Sequence, residues 1–255
     1  MTPNPRQSRL LTLVGDRGAV SIEMLAAELG VALQTVRRDV HRLSEAGLLA
    51  RFHGGARPAI STTENIAYRQ RKALHAAAKT RIGQAVAQRV PHGCSLFMNI
   101  GTTMEAVAHA LMGHRDLRVI TNNLHVAAIL SEAPDCQVIV AGGEMRSVDR
   151  GIVGELAVEF IRQFKVDIGL IGISGIEPDG SLRDFDYREV QVARIIMAQS
   201  RQVWLAADSS KFLRAAIVQL AQVQDIDMLY TDAPPSDSMA KLLAEGGVEC
   251  VVATD

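Results

Sequence analysis

A set of polar and cationic side chains near the start of the chain has the chemistry needed to read double-stranded DNA. Its members are Gln34, Thr35, Arg37, Arg38, Arg42, Arg51 and His53. Arginine donates paired hydrogen bonds to guanine, glutamine can pair with adenine, and threonine can contact phosphate or a thymine methyl group. Arg51 and His53 follow at a distance from which they could reach phosphate or the minor groove. We therefore predict that these seven residues form an operator-binding surface.

A second set of residues has the chemistry of a phosphate site. Glycine, threonine and asparagine follow three successive apolar runs, and a carboxylate and a lysine come later. The set is Gly101, Thr102, Thr103, Thr121, Asn122, Asn123, Gly142, Gly143, Asp184 and Lys211. Glycine lets backbone approach a ligand, helix-start amides and hydroxyls suit phosphate, and lysine supplies positive charge. Each feature alone is better explained as a turn, a helix cap or a surface charge. Their recurrence at three strand ends favours a small-molecule site.

The DNA-reading residues need a helix-turn-helix and a wing to position them. Ser21 is a suitable N-cap, and Gly30 suits the position just past the end of the helix that Ser21 starts. A second helix is predicted from Leu33 to Ala46, with Val36, Val40 and Leu43 facing inward. Leu48 to Phe52 then predicts a strand, and Gly54-Gly55 the turn of a wing. A helical hairpin with a solvated basic face is the alternative, but the paired arginines and the glycine turn favour DNA binding.

The phosphate-site residues need a different framework. From Gly93 onward, short apolar runs alternate with helical stretches, which predicts a mostly parallel sheet covered on both faces. In such sheets ligands bind beyond the carboxyl ends of the strands. We predict a DNA-binding domain over residues 3–58, with the helix-turn-helix at about 20–39, a linker over 59–74, and an effector domain over 75–234 that extends to about 255. Tyr68 to Val90 is helical and basic; it packs on the second domain or joins two subunits, or it is a solvated cap helix.

Charge is divided unevenly along the chain. Residues 1–90 carry 14 Lys and Arg against 6 Asp and Glu, a balance of +8, and residues 91–255 carry 13 against 22, a balance of −9. A basic reader joined to an acidic sensor fits these values, and dimerisation would double the phosphate contacts. No stretch approaches the ~20 apolar residues of a membrane span, the first residues lack a signal-peptide core, and three scattered cysteines form no pair. We expect a cytoplasmic protein with no membrane partner.

The motifs resemble those of a known family. Residues 6–57 are similar to the N-terminal domain of the DeoR family of bacterial transcriptional regulators through Arg9, Val20, Leu25, Val31, Thr35, Val36, Arg37, Arg38, Asp39, Leu43, Gly47, Arg51, His53, Gly54, Gly55 and Ala56. The loops at Gly101, Thr121, Gly142 and Asp208 extend the resemblance over nearly the whole chain. It implies a winged helix-turn-helix followed by an effector domain with a fold like that of sugar-phosphate isomerases. The family usually has Asp at Asn99, Gly at Leu213 and a polar cap near Ala32.

Longer stretches narrow the ligand that the resemblance implies. IGTTMEAVAHAL from Ile100, TNNLHVA from Thr121, GISGIEPDGSL from Gly172, FDYREV from Phe185 and YTDAPP from Tyr230 resemble members that control glycerol catabolism. The resemblance implies a repressor that sn-glycerol 3-phosphate releases from its operator, acting as a homo-oligomer, a dimer or a tetramer.

Three alternatives stay open from the residues. The effector could be another sugar phosphate. The chain could be a sugar-phosphate isomerase with acid–base groups at Asp184, Asp186 or Lys211, although it lacks the Asp-Gly-Ala-Asp-Glu stretch of such enzymes. A metal-dependent regulator would need its histidines as ligands, but they have no recognised ligand spacing. We expect a regulator with no catalytic residue, metal or cofactor.

Overall fold

The computed structural model describes residues 4–45, 48–52, 54–58, 65, 68–212 and 214–254. The chain divides into two compact units, Met1–Ser61 and Thr62–Asp255. Four sequence predictions lie outside the described residues: the contact of His53, the end of the second helix at Ala46, the first part of the linker, and the effect of Leu213.

The first unit is a winged helix-turn-helix. It contains α1 (Pro5–Arg17), β1 (Val20–Ser21), α2 (Ile22–Leu29), α3 (Leu33–Glu45), β2 (Leu49–Phe52) and β3 (Gly55–Pro58), with sheet order β1-β3-β2. The Ser21 side chain accepts a hydrogen bond from the Met24 amide at 3.1 Å, and Gly30 ends α2 in the left-handed conformation. The two predicted caps are confirmed. The helix α1 was not predicted; Asn4 starts it with a capping box.

The second unit is built on a seven-stranded sheet. Its elements are α4 (Tyr68–Ala73), α5 (Ala76–Arg89), β4 (Ser95–Met98), α6 (Thr102–Ala110), β5 (Leu117–Thr121), α7 (Leu124–Leu130), β6 (Cys136–Val140), β7 (Glu144–Met145), β8 (Ile152–Val153), α8 (Glu155–Arg162), β9 (Val166–Ile171), β10 (Gly175–Ile176), β11 (Ser181–Asp184), α9 (Tyr187–Ala198), β12 (Ser200–Ala206), β13 (Val218–Gln222), β14 (Met228–Thr231), α10 (Asp237–Glu245) and β15 (Glu249–Val252). The main sheet has the order β15-β14-β12-β9-β4-β5-β6, and all its neighbours are parallel.

Helices cover both faces of this sheet, as the alternating pattern predicted. Side chains of α5, α6 and α7 pack on one face, where Met98 and Leu170 are fully buried. Side chains of α8, α9 and α10 pack on the other, against Ile171 and Leu205. Adjacent strand residues therefore enter different cores, which is why the strands read as continuous apolar runs.

The strand order places a switch point between β4 and β9. From β4 the chain adds β5 and β6 on one side, whereas β9 is followed by β12, β14 and β15 on the other. The loops after β4 and β9 consequently leave the sheet in opposite directions and open a crevice between them.

Part of the stretch assigned to the linker is helical. Tyr68–Ala73 forms α4, which contacts α6, so the ordered second unit begins before residue 75. None of the helices among the described residues is long and apolar enough to cross a bilayer.

Candidate functional site: a DNA-reading helix and a cationic crevice

The exposed face of α3 carries most of the predicted DNA-binding residues. Gln34, Arg37, Arg38 and Arg42 are exposed, and Thr35 is half-buried. The opposite face of α3 is buried in the core of the first unit through its valines and Leu43. The helix therefore presents one face to solvent with the donors that major-groove recognition requires.

A buried carboxylate holds this helix in place. Asp39, on α3, accepts a hydrogen bond from Arg6 Nε at 2.7 Å and another from Gln7 Nε2 at 3.0 Å, both on α1. Burial acts to raise the pKa of Asp39, but the hydrogen bonds from Arg6 and Gln7 prevail and hold that pKa below its usual value. Asp39 thus fixes α3 against α1. The sequence placed it in the family pattern but gave no role for it.

The wing brings one further residue to this surface. β2 and β3 pair in antiparallel register, with Phe52 opposite Gly55. Arg51 on β2 is exposed, and its Nη1 lies 3.0 Å from Nδ1 of His41 on α3. Sequence reasoning missed His41, because one histidine on a polar helix face has no distinctive spacing.

At the crevice of the second unit, Asn99 joins the ends of β4 and β9. Its Oδ1 accepts from the Gly172 amide at 2.8 Å, and its Nδ2 donates to the Gly172 carbonyl at 3.4 Å. An aspartate could make only the first of these contacts when ionised. Asn99 therefore ties the switch point together.

The loop after β4 leads into a helix start without a side-chain cap. Gly101 has φ 146° and ψ 149°, and no side chain caps α6. Thr102 and Thr103 are the first two residues of α6, half-buried and buried respectively. Because the first-turn amides of a helix lack intrahelical partners, this end of α6 can donate hydrogen bonds to an anion.

The side chains of the loop after β5 make hydrogen bonds within the protein. The Thr121 hydroxyl donates to the Met98 carbonyl at 2.7 Å and accepts from the Asn123 amide at 3.0 Å. The Asn123 side chain caps α7 through the His125 amide, also at 3.0 Å. The Thr121 proton and the Asn123 side-chain oxygen are thus engaged within the protein, and the ligand role of Thr121 and Asn123 stays a prediction. Asn122 retains a buried Oδ1 with no partner among the described residues.

The paired glycines after β6 shape a hairpin. Gly142 is exposed, and Gly143 has φ 144°. A side chain at Gly143 would place its Cβ 2.8 Å from the Val153 carbonyl oxygen, so glycine permits the close pass between β7 and β8. This hairpin returns at Gly151, which forms an isolated bridge with Asn123. The close pass explains why residue 143 is glycine, and the ligand role of Gly142 and Gly143 stays a prediction.

Four cations converge near the crevice from separate parts of the sequence. They are Arg71 on α4, Lys79 on α5, Lys211 in the turn after β12, and Arg214. Burial, followed by nearby Lys211 and Arg71, lowers the pKa of Lys79 to about 8, with Asp208 opposing. Burial also lowers the pKa of Lys211, against the attraction of Asp208, and Arg214 and Arg71 lower it further. These residues therefore form a cluster of mutually repelling positive charges, which we call the cationic cluster.

Two buried carboxylates accompany the cationic cluster. Asp208 Oδ1 accepts from the Ser210 amide at 3.1 Å and from the Ser210 hydroxyl, but its Oδ2 has no hydrogen-bond partner in the described part of the chain and lies 4.0 Å from Lys211 Nζ. Burial raises the pKa of Asp184, against hydrogen bonds from the Phe185 amide and Ser174. A protonated Asp184 would leave the cluster with a larger excess of positive charge.

Three other acidic side chains of the second unit form ion pairs with one arginine. Arg146 forms ion pairs with Asp149, Asp186 and Glu189 at 2.6, 2.9 and 2.7 Å. Asp186 also caps α9 through the Arg188 amide. Both oxygens of Asp186 and one oxygen of Glu189 therefore already have partners within the protein.

Together these features suit a small phosphorylated polyol. Buried positive charge and an uncapped helix start favour a phosphate, while the unpaired oxygens of Asp208 and Asn122 can accept hydrogen bonds from hydroxyls. Of the predicted residues, the arrangement includes Gly101, Thr102, Thr103, Asn122, Asp184 and Lys211. Sequence reasoning missed Arg71, Lys79 and Arg214. Among the described residues, no group of His, Cys, Asp and Glu could hold a metal ion.

Two family models match the chain. Residues 6–62 match the DeoR-like helix-turn-helix domain, and residues 74–233 match the DeoR C terminal sensor domain.

Full-length relatives agree with these matches. The chain is 45% identical over 249 residues to the glycerol-3-phosphate regulon repressor of Escherichia coli (strain K12), covering 98% of each chain. It is 47% identical over 235 residues to the protein of the same name from Haemophilus influenzae, covering 92% of this chain and 91% of that one. The HTH-type transcriptional repressor CsqR of Escherichia coli is 41% identical over 252 residues, covering 99% and 96%.

Among solved structures, ribose 5-phosphate isomerase A from Methanocaldococcus jannaschii is similar at 12% identity and a TM-score of 0.41, over 55% of this chain and 56% of that one. A similarity at this level carries no functional argument. The functional assignment rests instead on the two family models and the full-length relatives. The chain belongs to the DeoR family and is a transcriptional repressor rather than an enzyme.

Proposed function

We propose that the chain represses genes of glycerol 3-phosphate catabolism, and that sn-glycerol 3-phosphate or a related sugar phosphate releases it from operator DNA. DNA reading is assigned to residues 3–58 and sensing to residues 75–234, extending to about 255, with 59–74 connecting them. The relatives named as glycerol-3-phosphate regulon repressors support the choice of regulon.

The observation that carries the choice of ligand class is the cationic cluster beside an uncapped helix start. Arg71 and Lys79 come from one stretch of the sequence and Lys211 and Arg214 from another, and burial disfavours the charged forms of Lys79, Lys211 and Arg214. An unoccupied cluster of this kind is electrostatically unfavourable, and a phosphate dianion relieves the repulsion. The phosphate is assigned to the Gly101–Thr103 turn and the cluster, and the ligand hydroxyls to Asp208 and Asn122.

For the DNA, Gln34, Thr35, Arg37, Arg38 and Arg42 are assigned to the major groove. Arg51 and His53 are assigned to the flanking backbone or minor groove. A homo-oligomer, a dimer or a tetramer, would place two copies of α3 on half-sites ~34–36 Å apart. Such a repressor acts where its operator is, in the cytoplasm. Sedimentation equilibrium tests the oligomer; a monomer at the concentration that fills the operator contradicts it.

The test of function is operator binding at fixed salt. DNA from upstream of glycerol-catabolism genes is titrated with the full chain, alone and with sn-glycerol 3-phosphate, using scrambled DNA of equal length as control. We expect specific binding that sn-glycerol 3-phosphate weakens and that glycerol, which lacks the phosphate, does not. Specific binding that responds only to a different sugar phosphate keeps the repressor and replaces its ligand. No preference for any such DNA over scrambled DNA contradicts the proposed regulon.

A further inference from the structure

We propose that Arg71 couples effector binding to the DNA-binding unit by exchanging its partner Asp149 for the effector phosphate. The inference rests on the proposed function, because it takes a phosphorylated ligand at the cationic cluster as given. It adds a ligand-binding role for a residue outside the strand-end loops and a route from the site to the connection between the two units.

The position of Arg71 in the chain makes it suitable for this role. It lies on α4, the first helix after the boundary between the units at Ser61 and Thr62. A six-residue helix is not stable alone, so its docking contacts hold it. Tyr68 donates a hydrogen bond to Glu105 Oε2 at 3.0 Å, and its ring stacks on His125 with centroids 4.8 Å apart. Contacts with α6 and α7 therefore decide where α4 lies.

The guanidinium of Arg71 is only partly satisfied. Its Nη2 lies 3.2 Å from Asp149 Oδ2, and its Nε is buried with no hydrogen-bond partner among the described residues. A buried, unpaired donor on a charged group is costly. A phosphate offers it several acceptor oxygens and the bidentate geometry that arginine favours.

Asp149 can release Arg71 without becoming unpaired. Arg146 donates to Asp149 from both Nη2, at 2.6 Å, and Nε, at 3.2 Å. These contacts remain when Arg71 leaves, and Arg146 stays held by Asp186 and Glu189. The exchange therefore takes one of two arginine partners from Asp149 and leaves no buried carboxylate unpaired. The free-energy cost of the exchange is low for that reason.

The backbone of α4 is attached to the same site. The Arg71 carbonyl accepts from Lys79 Nζ and, at 3.5 Å, from the Thr102 hydroxyl. Arg214 Nη2 donates to Asn65 Oδ1 at 2.8 Å, so another cation of the cluster holds the chain just before α4. A phosphate that recruits Lys79, Thr102 and Arg214 competes with each of these contacts. Effector binding thereby favours a different docking of α4, the helix that follows the connection to the DNA-binding unit.

The test compares Arg71→Gln with Arg69→Gln in the full chain. Arg69 is exposed on the same helix, so its substitution makes the same chemical change away from the crevice. We measure operator affinity without effector, the affinity for sn-glycerol 3-phosphate by calorimetry, and the effector concentration that releases half the DNA. For Arg71→Gln we expect the effector Kd and the half-release concentration to rise about tenfold or more, since a hydrogen bond to a charged group is lost. Arg69→Gln should match the wild type.

Two further variants separate phosphate binding from a structural role. Arg71→Lys keeps the charge without the paired donors and should fall between wild type and Arg71→Gln. Asp149→Asn weakens the competing ion pair, so half-release should need about twofold to tenfold less effector. Inorganic phosphate serves as a second probe, and its affinity should fall in Arg71→Gln in the same direction as that of sn-glycerol 3-phosphate.

Three results would overturn the inference. Wild-type effector affinity in Arg71→Gln removes Arg71 from the phosphate. A lowered melting temperature together with lost operator binding in both Arg71→Gln and Arg71→Lys assigns the residue to folding alone. If wild type and Arg69→Gln bind operator but ignore every phosphorylated ligand, the proposed function fails first and the inference falls with it.

Discussion

At the residue scale, the two units use arginine for different purposes. On α3, Arg37 and Arg38 are exposed, and no ion pair is seen for either among the described residues, so their donors are free for DNA. In the crevice, Arg146 is buried among three acids and acts as part of the framework. Sequence alone could not distinguish these two kinds of arginine, because the difference lies in which residues the fold places beside each one.

Arg37→Ala should weaken specific operator binding by about 1–3 kcal/mol, because it removes a residue that can pair bidentately with guanine. Arg17→Ala is the control, since Arg17 is exposed in the same unit but pairs with Glu28 at 2.6 Å. Fluorescence anisotropy with operator and scrambled DNA gives both affinities. If Arg37→Ala lowers them equally, Arg37 contacts phosphate and does not read a base.

Lys79 predicts a pH dependence of effector binding. Burial lowers the pKa of Lys79 to about 8, so the amine loses its charge as pH rises through that value. A bound phosphate favours the charged amine, and above pH 8 binding must take up a proton. The effector Kd should therefore rise with pH above 8, by up to about tenfold per unit. The second ionisation of phosphate, near pH ~6, is already complete there.

The control for this titration is a pair of lysine substitutions. Lys79→Met should bind effector more weakly at pH 7.5, and its effector Kd should depend less on pH, whereas Lys241→Met, on the exposed face of α10, should retain the wild-type dependence.

The free energy of unfolding depends on pH with the opposite sign. The unfolded chain holds this proton more tightly between pH 8 and 10.5, so the contribution of Lys79 to folding becomes more favourable across that window. If the effector Kd of Lys79→Met depends on pH as steeply as that of the wild type, a group other than Lys79 is responsible for the pH dependence of binding.

At the element scale, long and strongly patterned segments could be predicted from sequence. The second helix of the helix-turn-helix was predicted to begin at Leu33, where α3 begins, and the alternating pattern after Gly93 predicted the parallel sheet. The hairpin of β7 and β8 was missed, because strands of two residues show no periodicity. The three-stranded sheet of β10, β11 and β13 was missed for a related reason, since β13 lies some distance along the chain from its partner β11.

The candidate site was only partly predictable for a topological reason. Its loops follow strands and carry glycine and threonine, which local sequence reveals. The cationic cluster instead joins Arg71, Lys79 and Arg214, residues that only the strand order and the packing of α4 and α5 bring together. Asn123 shows another limit of the sequence: its residue type suits both a ligand loop and a helix cap, and in the structure its side-chain oxygen caps α7.

The contact between α5 and α6 depends on Gly83. A Cβ built there lies 2.7 Å from the Ala106 carbonyl oxygen, so Gly83→Ala must push apart the helix that carries Lys79 and the helix that starts at Thr102. We expect a loss of about 1–3 kcal/mol from overpacking, more than the roughly 1 kcal/mol that alanine gains in helix propensity. Effector affinity should fall as well, since the two sides of the crevice separate.

Gly113→Ala is the matched control, because no atom lies within 4 Å of its added Cβ. Denaturant unfolding of the second unit within the full chain measures the change in stability, and calorimetry measures effector binding. Stability equal to or above that of the wild type in Gly83→Ala would mean that α5 and α6 adapt without cost, and that Gly83 does not set their spacing.

At the scale of the whole molecule, the two units carry net charges of opposite sign. Residues 1–61 carry 8 Lys and Arg against 5 Asp and Glu, a balance of +3, and residues 62–255 carry 19 against 23, a balance of −4, so the DNA-binding unit attracts DNA more strongly than the sensor does. A phosphorylated effector could, however, reach either unit. It could bind the crevice and act at a distance, or it could compete with DNA phosphates for the arginines of α3.

These two routes predict different titrations. Binding at the crevice is coupled to operator binding by a finite factor, so the operator Kd should rise with effector and then level off, typically after about 5–150-fold. The same factor must separate the effector Kd of free protein from that of the operator complex. Competition at α3 would instead raise the operator Kd without limit, and inorganic phosphate would act as strongly as sn-glycerol 3-phosphate. Because Arg71, Lys79 and Lys211 lie in the second unit and α3 lies in the first, we expect the plateau.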